Sequence, residues 1–142
     1  MNTFSDLQAI DLDLALRVQP IGNPLLKISI NHDVVYHGRL THLLEIRRQL
    51  PLLQPFAVTV ELLDKDYHSN QETAVVIEQL TIDGFELIPR WNHLSTYDND
   101  HQCSQPTHYL GFVGTWSLRV DRPFYQWHHQ AANQGMLLTL DQ

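Results

Sequence analysis

One polar loop carries the densest set of hard oxygen donors in the chain. Asp64-x-Asp66-x-x-x-Asn70-x-Glu72 brings three carboxylates and an amide oxygen into a single connection, and oxygen donors of this kind are what calcium takes. The spacing is not that of an EF-hand: Ser69 stands where the sixth-position glycine would be and Val75 where the twelfth-position acid would be. Asp98-Asn99-Asp100 is a second oxygen-rich triplet. Solvated turns would use the same residues, so calcium is an expectation for Asp64, Asp66, Asn70 and Glu72 and not a requirement. Nine histidines are present, and His93, His101 and His108 share one stretch with Cys103, with His128-His129 further on. A tetrahedral zinc site needs four convergent nitrogen or sulfur ligands, and none of the spacings here gives the usual close pairs. A small metal-dependent enzyme built on this histidine-rich stretch is the reading that would need them to converge. At mildly acidic pH the histidines would add positive charge.

Covalent catalysis finds little support. There is no Gly-x-Ser-x-Gly elbow, no phosphate-cradling glycine loop, and Cys103 lies in a polar stretch without a rigid turn to hold a nucleophile. The expectation is a protein that is not an enzyme. Binding is better served. Trp91 and Tyr97 fall in a long polar segment, where rings are available to stack on a sugar or a partner. Trp116 alternates with Leu118 and Val120, and Phe124 and Trp127 are three apart, so these read as core. The leucine-rich stretch THLLEIRRQLPLLQPF (41–56) offers Leu43, Leu44 and Leu53 as a partner-contact surface.

Strands must position these groups. Asp11–Val18 alternates apolar and polar, Leu25–Ile30 and Val34–Tyr36 flank a turn at Asn31-His32-Asp33, and the spacing predicts a hairpin. Residues 39–53 fit helical and alternating patterns equally, with an extended strand followed by an irregular turn preferred. Phe56–Leu63 and Thr73–Ile82 are rich in Val, Ile and Thr, which suit a pleated surface. They read as a central hairpin around the polar loop, and Asp83-Gly84 supplies a tight turn after it. Residues 90–107 have no periodicity and read as a long loop. Tyr109–Val120 is strand again. A short helix follows over 121–132, capped by Asp121, and Gly135 releases a last strand at Met136–Leu140. About eight strands and one short C-terminal helix predict an all-β, jelly-roll-like β-sandwich occupying residues 1–142 as a single domain.

Composition excludes several classes of function. The chain has 142 residues and a formal net charge of -7, which argues against a nucleic-acid binder that must displace counterions with a basic face. One cysteine permits no intrachain disulfide. No stretch approaches the ~20 apolar residues of a membrane-spanning helix. The first residues have neither the basic nor the apolar region of a signal peptide, which predicts no export by the general secretory route.

Two stretches together resemble a known group. ETAVVIEQLTIDGFELIPRW (72–91) and YLGFVGTWSLRVDRPFYQWHHQ (109–130) are similar to small stand-alone jelly-roll proteins of tailed bacteriophages, and more loosely to calcium-dependent carbohydrate-binding modules. The first resemblance implies a non-enzymatic virion structural protein, a decoration or accessory subunit that binds other phage structural proteins. It also implies a homo-oligomer or many copies per particle, located in the virion and assembled in the host cytoplasm. The second implies a module recognising host-surface glycans, calcium-dependent in that family, although no ligand motif of those modules is matched residue by residue.

Overall fold

The computed structural model describes residues 11–101 and 107–140, with helix side chains followed to residue 132. Two antiparallel sheets face each other. One has the order β4-β1-β6-β7, with the two-residue β9 also pairing β6. The other has the order β3-β2-β5-β10-β8. The strands are β1 (Asp11–Ile21), β2 (Leu25–Ile30), β3 (Asp33–Arg39), β4 (Leu44–Pro51), β5 (Phe56–Asp64), β6 (Ala74–Ile82), β7 (Phe85–Ile88), β8 (Thr96–Asn99), β9 (Tyr109–Leu110) and β10 (Gly114–Val120), followed by a helix, α1 (Phe124–Leu140).

Alternation makes the sandwich. Leu12, Leu14, Leu16 and Val18 of β1 point inward, as do Phe56, Val58, Val60 and Leu62 of β5. Their outward neighbours Asp13, Arg17, Thr59 and Glu61 are polar. Each large apolar side chain taken from water in this way contributes roughly 1.5–3 kcal/mol. In β6 the phase changes part-way: Val75 and Ile77 are buried, then Leu80 and Ile82. The cause is a bulge. Arg17 pairs Gln79 while Val18 pairs Ile77, so Glu78 is the extra residue. The tight turn joining β6 to β7 has positive φ at both central residues, 50° at Asp83 and 83° at Gly84, which matches the right-handed twist of its strands. The hairpin of β2 and β3 is formed, and the ambiguous stretch before Pro51 is extended, as β4.

Four expectations are corrected. First, β5 and β6 are not a hairpin. They lie in different sheets, and residues 65–73 cross between the layers. Second, residues 90–107 are not all loop: a 3-10 turn covers Asn92–Leu94, and β8 adds a strand beside β10. Third, no strand follows Gly135, because α1 continues to Leu140. A mid-helix glycine costs only about 1 kcal/mol, and the Met and Leu residues that follow are good helix formers. Fourth, Asp121 does not cap this helix. Its carboxylate binds the Arg122 guanidinium at 2.9 Å, and the first helical amide bond runs from Trp127 N–H to the Pro123 carbonyl, 3.0 Å. The start of the helix packs its aromatic side chains against β7 and the residues that follow it. Phe124 is fully buried and its ring centre is 6.1 Å from that of Phe85. Trp127 meets Trp91 edge-on at 5.9 Å.

Candidate functional site

Strand register brings several connections to one end of the sandwich. Leu25 pairs Asp64, Gly114 pairs both Leu62 and Asn99, Ile21 pairs Ala74, and Val75 pairs Leu110. The β5–β6 crossover, the end of β8 and the β9–β10 turn therefore meet. The turn, Gly111-Phe112-Val113, is held by side chains from elsewhere at each of its residues. The Lys65 ammonium donates to the Gly111 carbonyl at 2.6 Å. The buried Tyr97 hydroxyl accepts from Phe112 N–H at 2.9 Å and donates back to the Phe112 carbonyl. The Tyr67 hydroxyl accepts from Val113 N–H at 2.9 Å, and Asp100 N–H donates to the Val113 carbonyl at 3.0 Å. A loop whose backbone groups are satisfied in this way is preorganised.

On that turn sits an aromatic and acidic cluster. The Tyr67 hydroxyl donates to the Asp100 carboxylate, 2.7 and 2.8 Å from its two oxygens. His101 Nδ1 lies 2.7 Å from Asp100 Oδ1. An ionised carboxylate only accepts, so Nδ1 carries the proton, and in the neutral ring Nε2 keeps its acceptor lone pair. The His101 ring stacks on Phe112 at 4.0 Å and 16° and tilts against Tyr67 at 4.8 Å. The hydrogen bonds from His101, then that from Tyr67, hold the Asp100 carboxyl below the usual carboxylate range. Lost hydration, with the neighbouring Asp100, pushes the Tyr67 hydroxyl up against the opposing Val113 amide. Tyr67 and Tyr109 nevertheless expose 41% of their surface each, enough for a ligand ring to reach them. The Tyr109 hydroxyl is pushed up by desolvation and by the charge of Glu72. The arrangement offers exposed rings beside a fixed carboxylate and an imidazole, a combination suited to holding a polyhydroxylated ring.

The anticipated calcium loop is organised differently. Its centre is Lys65, with a side chain only 10% exposed and its ammonium 2.5 Å from Glu72 Oε1. This contact holds the Glu72 carboxyl below its ordinary value. Asp64 faces Arg39 at 3.8 Å, and Asp66 accepts from His68 N–H at 2.9 Å. Asn70 is exposed. Among the described residues no three His, Cys, Asp or Glu side chains converge as a metal-binding group. The acids of this loop are thus turned to Lys65, Arg39 and the His68 amide and not to one common point.

Other expected contact residues are elsewhere. Trp91 and Tyr97 are 7% and 4% exposed, so neither is available for stacking. Tyr97 pairs Trp116 from β8 and points into the core, and α1 covers Trp91. Leu43 and Leu53 are exposed at 42% and 41%, but they flank opposite ends of β4 and do not form one patch. Leu44 packs half-buried on the core. Among the described residues the histidine-rich stretch does not gather: His93 is exposed, His101 belongs to the cluster above, and His108 Nδ1 lies 3.1 Å from the Asn92 amide. Cys103 lies outside the described residues. His128 is enclosed by Phe85, Trp91 and Phe124, with ring centres 4.7 to 5.6 Å away.

A concavity of about 970 Å³ lies elsewhere, on the outer face of the β4-β1-β6 sheet between Asp13, Arg17, Glu45, Arg47 and Gln79. None of the described residues lining it is aromatic, and several of its side chains engage neighbours, Arg47 with Glu45 at 2.7 Å and Arg17 with Glu78 at 3.7 Å.

The chain is similar in fold to a solved carbohydrate-binding module, vCBM60 in complex with galactobiose. The TM-score is 0.51 at 13% identity, covering 76% of this chain and 99% of that one. A selenomethionine form of vCBM60, from work linking two families of calcium-dependent carbohydrate-binding modules by circular permutation, matches with TM-score 0.50 and 14% identity. That match covers 77% of this chain and 92% of the other. No protein-family model matches the chain, and no curated protein does.

Proposed function

We propose that this chain is a non-catalytic carbohydrate-binding domain that takes a short glycan at the Tyr67, Asp100, His101 and Phe112 cluster. The observation that carries the reading is the cluster itself: solvent-facing rings fixed beside a carboxylate at the loop end of a sandwich. The likeness to a module solved with galactobiose supports the ligand class. Apolar sugar faces stack on such rings while hydroxyls bond the carboxylate and imidazole. The test is a glycan array followed by calorimetry with galactobiose and the best array ligand. Tyr67→Ala and Asp100→Asn should each weaken binding about tenfold, the loss of about 1.4 kcal/mol. Absence of binding to every glycan, or full affinity in both variants, overturns the proposal.

A second reading, the virion decoration or accessory subunit, rests on the sheet edges. β3 and β4 each end a sheet; Val34 on β3 is 50% exposed, and an uncovered edge invites a partner strand. The structural neighbours favour the glycan reading over this one. The second reading places the protein in virions, assembled in a host cytoplasm, as repeated copies. Its absence from purified particles ends it.

A further inference from the structure

The neighbouring module belongs to work on calcium-dependent carbohydrate-binding modules, whereas the loop richest in oxygen donors here is arranged around an ammonium. Lys65 leaves the end of β5 and turns inward. Its Nζ lies 2.5 Å from a Glu72 carboxylate oxygen and 2.6 Å from the Gly111 carbonyl, with the Tyr67 ring centre at 5.7 Å. These oxygens come from two different connections, the β5–β6 crossover and the β9–β10 turn. A cation that draws oxygens from two loops together is what a bound divalent ion supplies in a metal-dependent module. The remaining acids of the crossover are engaged elsewhere, Asp64 with Arg39 and Asp66 with the His68 amide.

We infer that Lys65 is the built-in cation of this end of the sandwich, so that its loops are ordered, and the glycan of the proposed function is bound, without a divalent metal. The ligand part of this inference rests on that proposed function; the ordering part does not. Three features make the ammonium adequate. It is nearly buried, so its bond to the Gly111 carbonyl is less screened than the one to the half-exposed Glu72 carboxylate. Bonds between charged partners are about twice as strong as neutral ones. The β9–β10 turn it fixes is the one that carries Phe112, and through Phe112 the stacked His101.

Thermal melts of the full chain after dialysis against EDTA, then with millimolar calcium, test the ordering part on the unaltered protein. The two midpoints should coincide within about 1 °C; a calcium-dependent rise, as ligand linkage requires of any ion bound by the folded state, overturns the inference. Lys65→Met, which keeps the length and removes the charge, should lower the midpoint by about 5 °C in either buffer. Glu72→Gln should lower it less, and the double variant should melt close to Lys65→Met alone, because both changes break one contact. Strict additivity, or a Lys65→Met variant that melts like the parent, overturns it as well. Galactobiose or array-ligand binding should be the same with and without chelator. Binding that vanishes with EDTA overturns the metal independence, whereas failure to bind any glycan removes only the proposed function and leaves the melts to decide the role of Lys65.

Discussion

Replacing Trp91 with alanine separates a packing residue from a contact residue. The indole is 7% exposed, meets Trp127 edge-on at 5.9 Å, touches His128 at 4.9 Å and carries the Arg90 guanidinium over its face at 5.2 Å. Truncating a buried Trp costs about 3–5 kcal/mol. The ring pair falls within that figure at about 0.5–1.5 kcal/mol, and the exposed guanidinium contact at about 0.5–1 kcal/mol. An expected loss of about 4 kcal/mol is a large part of the roughly 5–15 kcal/mol that holds a domain folded. At about 2–4 °C per kcal/mol for a chain near this size, the melting midpoint should fall by about 10 °C. Far-UV circular dichroism reads the midpoint, and calorimetry at a temperature where the variant remains folded reads glycan affinity. Affinity per folded molecule should be unchanged, and Trp91→Phe should recover most of the stability. A midpoint within about 2 °C of the parent combined with lost binding would refute the reasoning, because Trp91 would then be a ligand contact left uncovered by α1 in solution.

Other outcomes follow from local geometry and charge. Gly114→Ala places a Cβ 2.2 Å from the Asp98 carbonyl oxygen and 2.6 Å from Asn99 Cα. Backbone cannot yield as a side chain does, so β8 must part from β10 at a cost of about 3 kcal/mol, seen as a lower midpoint in urea or heat. His128 should make stability fall in mild acid. Burial, then the charges of Arg90 and His129, hold its imidazole below its ordinary value. The unfolded chain therefore takes up the proton first, near pH about 6.5, and the contribution is complete above that value and lost as pH drops below it. Comparing midpoints at pH about 7.5 and about 5.5, His128→Phe should lose less than the parent; equal losses would show that the caged ring is not responsible.

How much of this was legible depends on the range of the interaction. The β1 and β5 patterns are carried by neighbouring residues, and they predict the sandwich. The Asp83-Gly84 turn is equally local. The pairing of β5 with β10, and not with β6, was not visible, because an Asp64–Glu72 connection of that length serves a hairpin and a crossover alike. The switch of phase in β6 was written as Val75 and Ile77 against Leu80 and Ile82, yet placing the bulge at Glu78 requires knowing that β1 is its partner. Trp91 and Tyr97 are hidden for a related reason: a polar sequence around a ring says nothing of the helix that arrives later to cover Trp91, nor of the β10 strand that pairs β8 and turns Tyr97 into the core. The cluster had one local signal, the Asp98-Asn99-Asp100 triplet. Tyr67 and Phe112 come together only through the crossover. Lys65 stood inside the supposed calcium loop, and its direction is set by a carbonyl on a distant turn.

The position of β1 has a consequence for how the protein is made. This strand leaves the first part of the chain, yet both of its neighbours in the sheet are late: Leu12 pairs Leu50 and Leu14 pairs Ile82. As the polypeptide is synthesised, β1 has no partner on either side until β4 and then β6 have emerged, while β2 and β3 can zip at once through Asn31-His32. Assembly is therefore governed by long-range pairing, which is slow, and the nascent chain carries an unpaired apolar strand throughout the interval. Asp11, Asp13 and Arg17, spaced along β1, are charges that discourage that strand from pairing with a neighbour's copy while it waits.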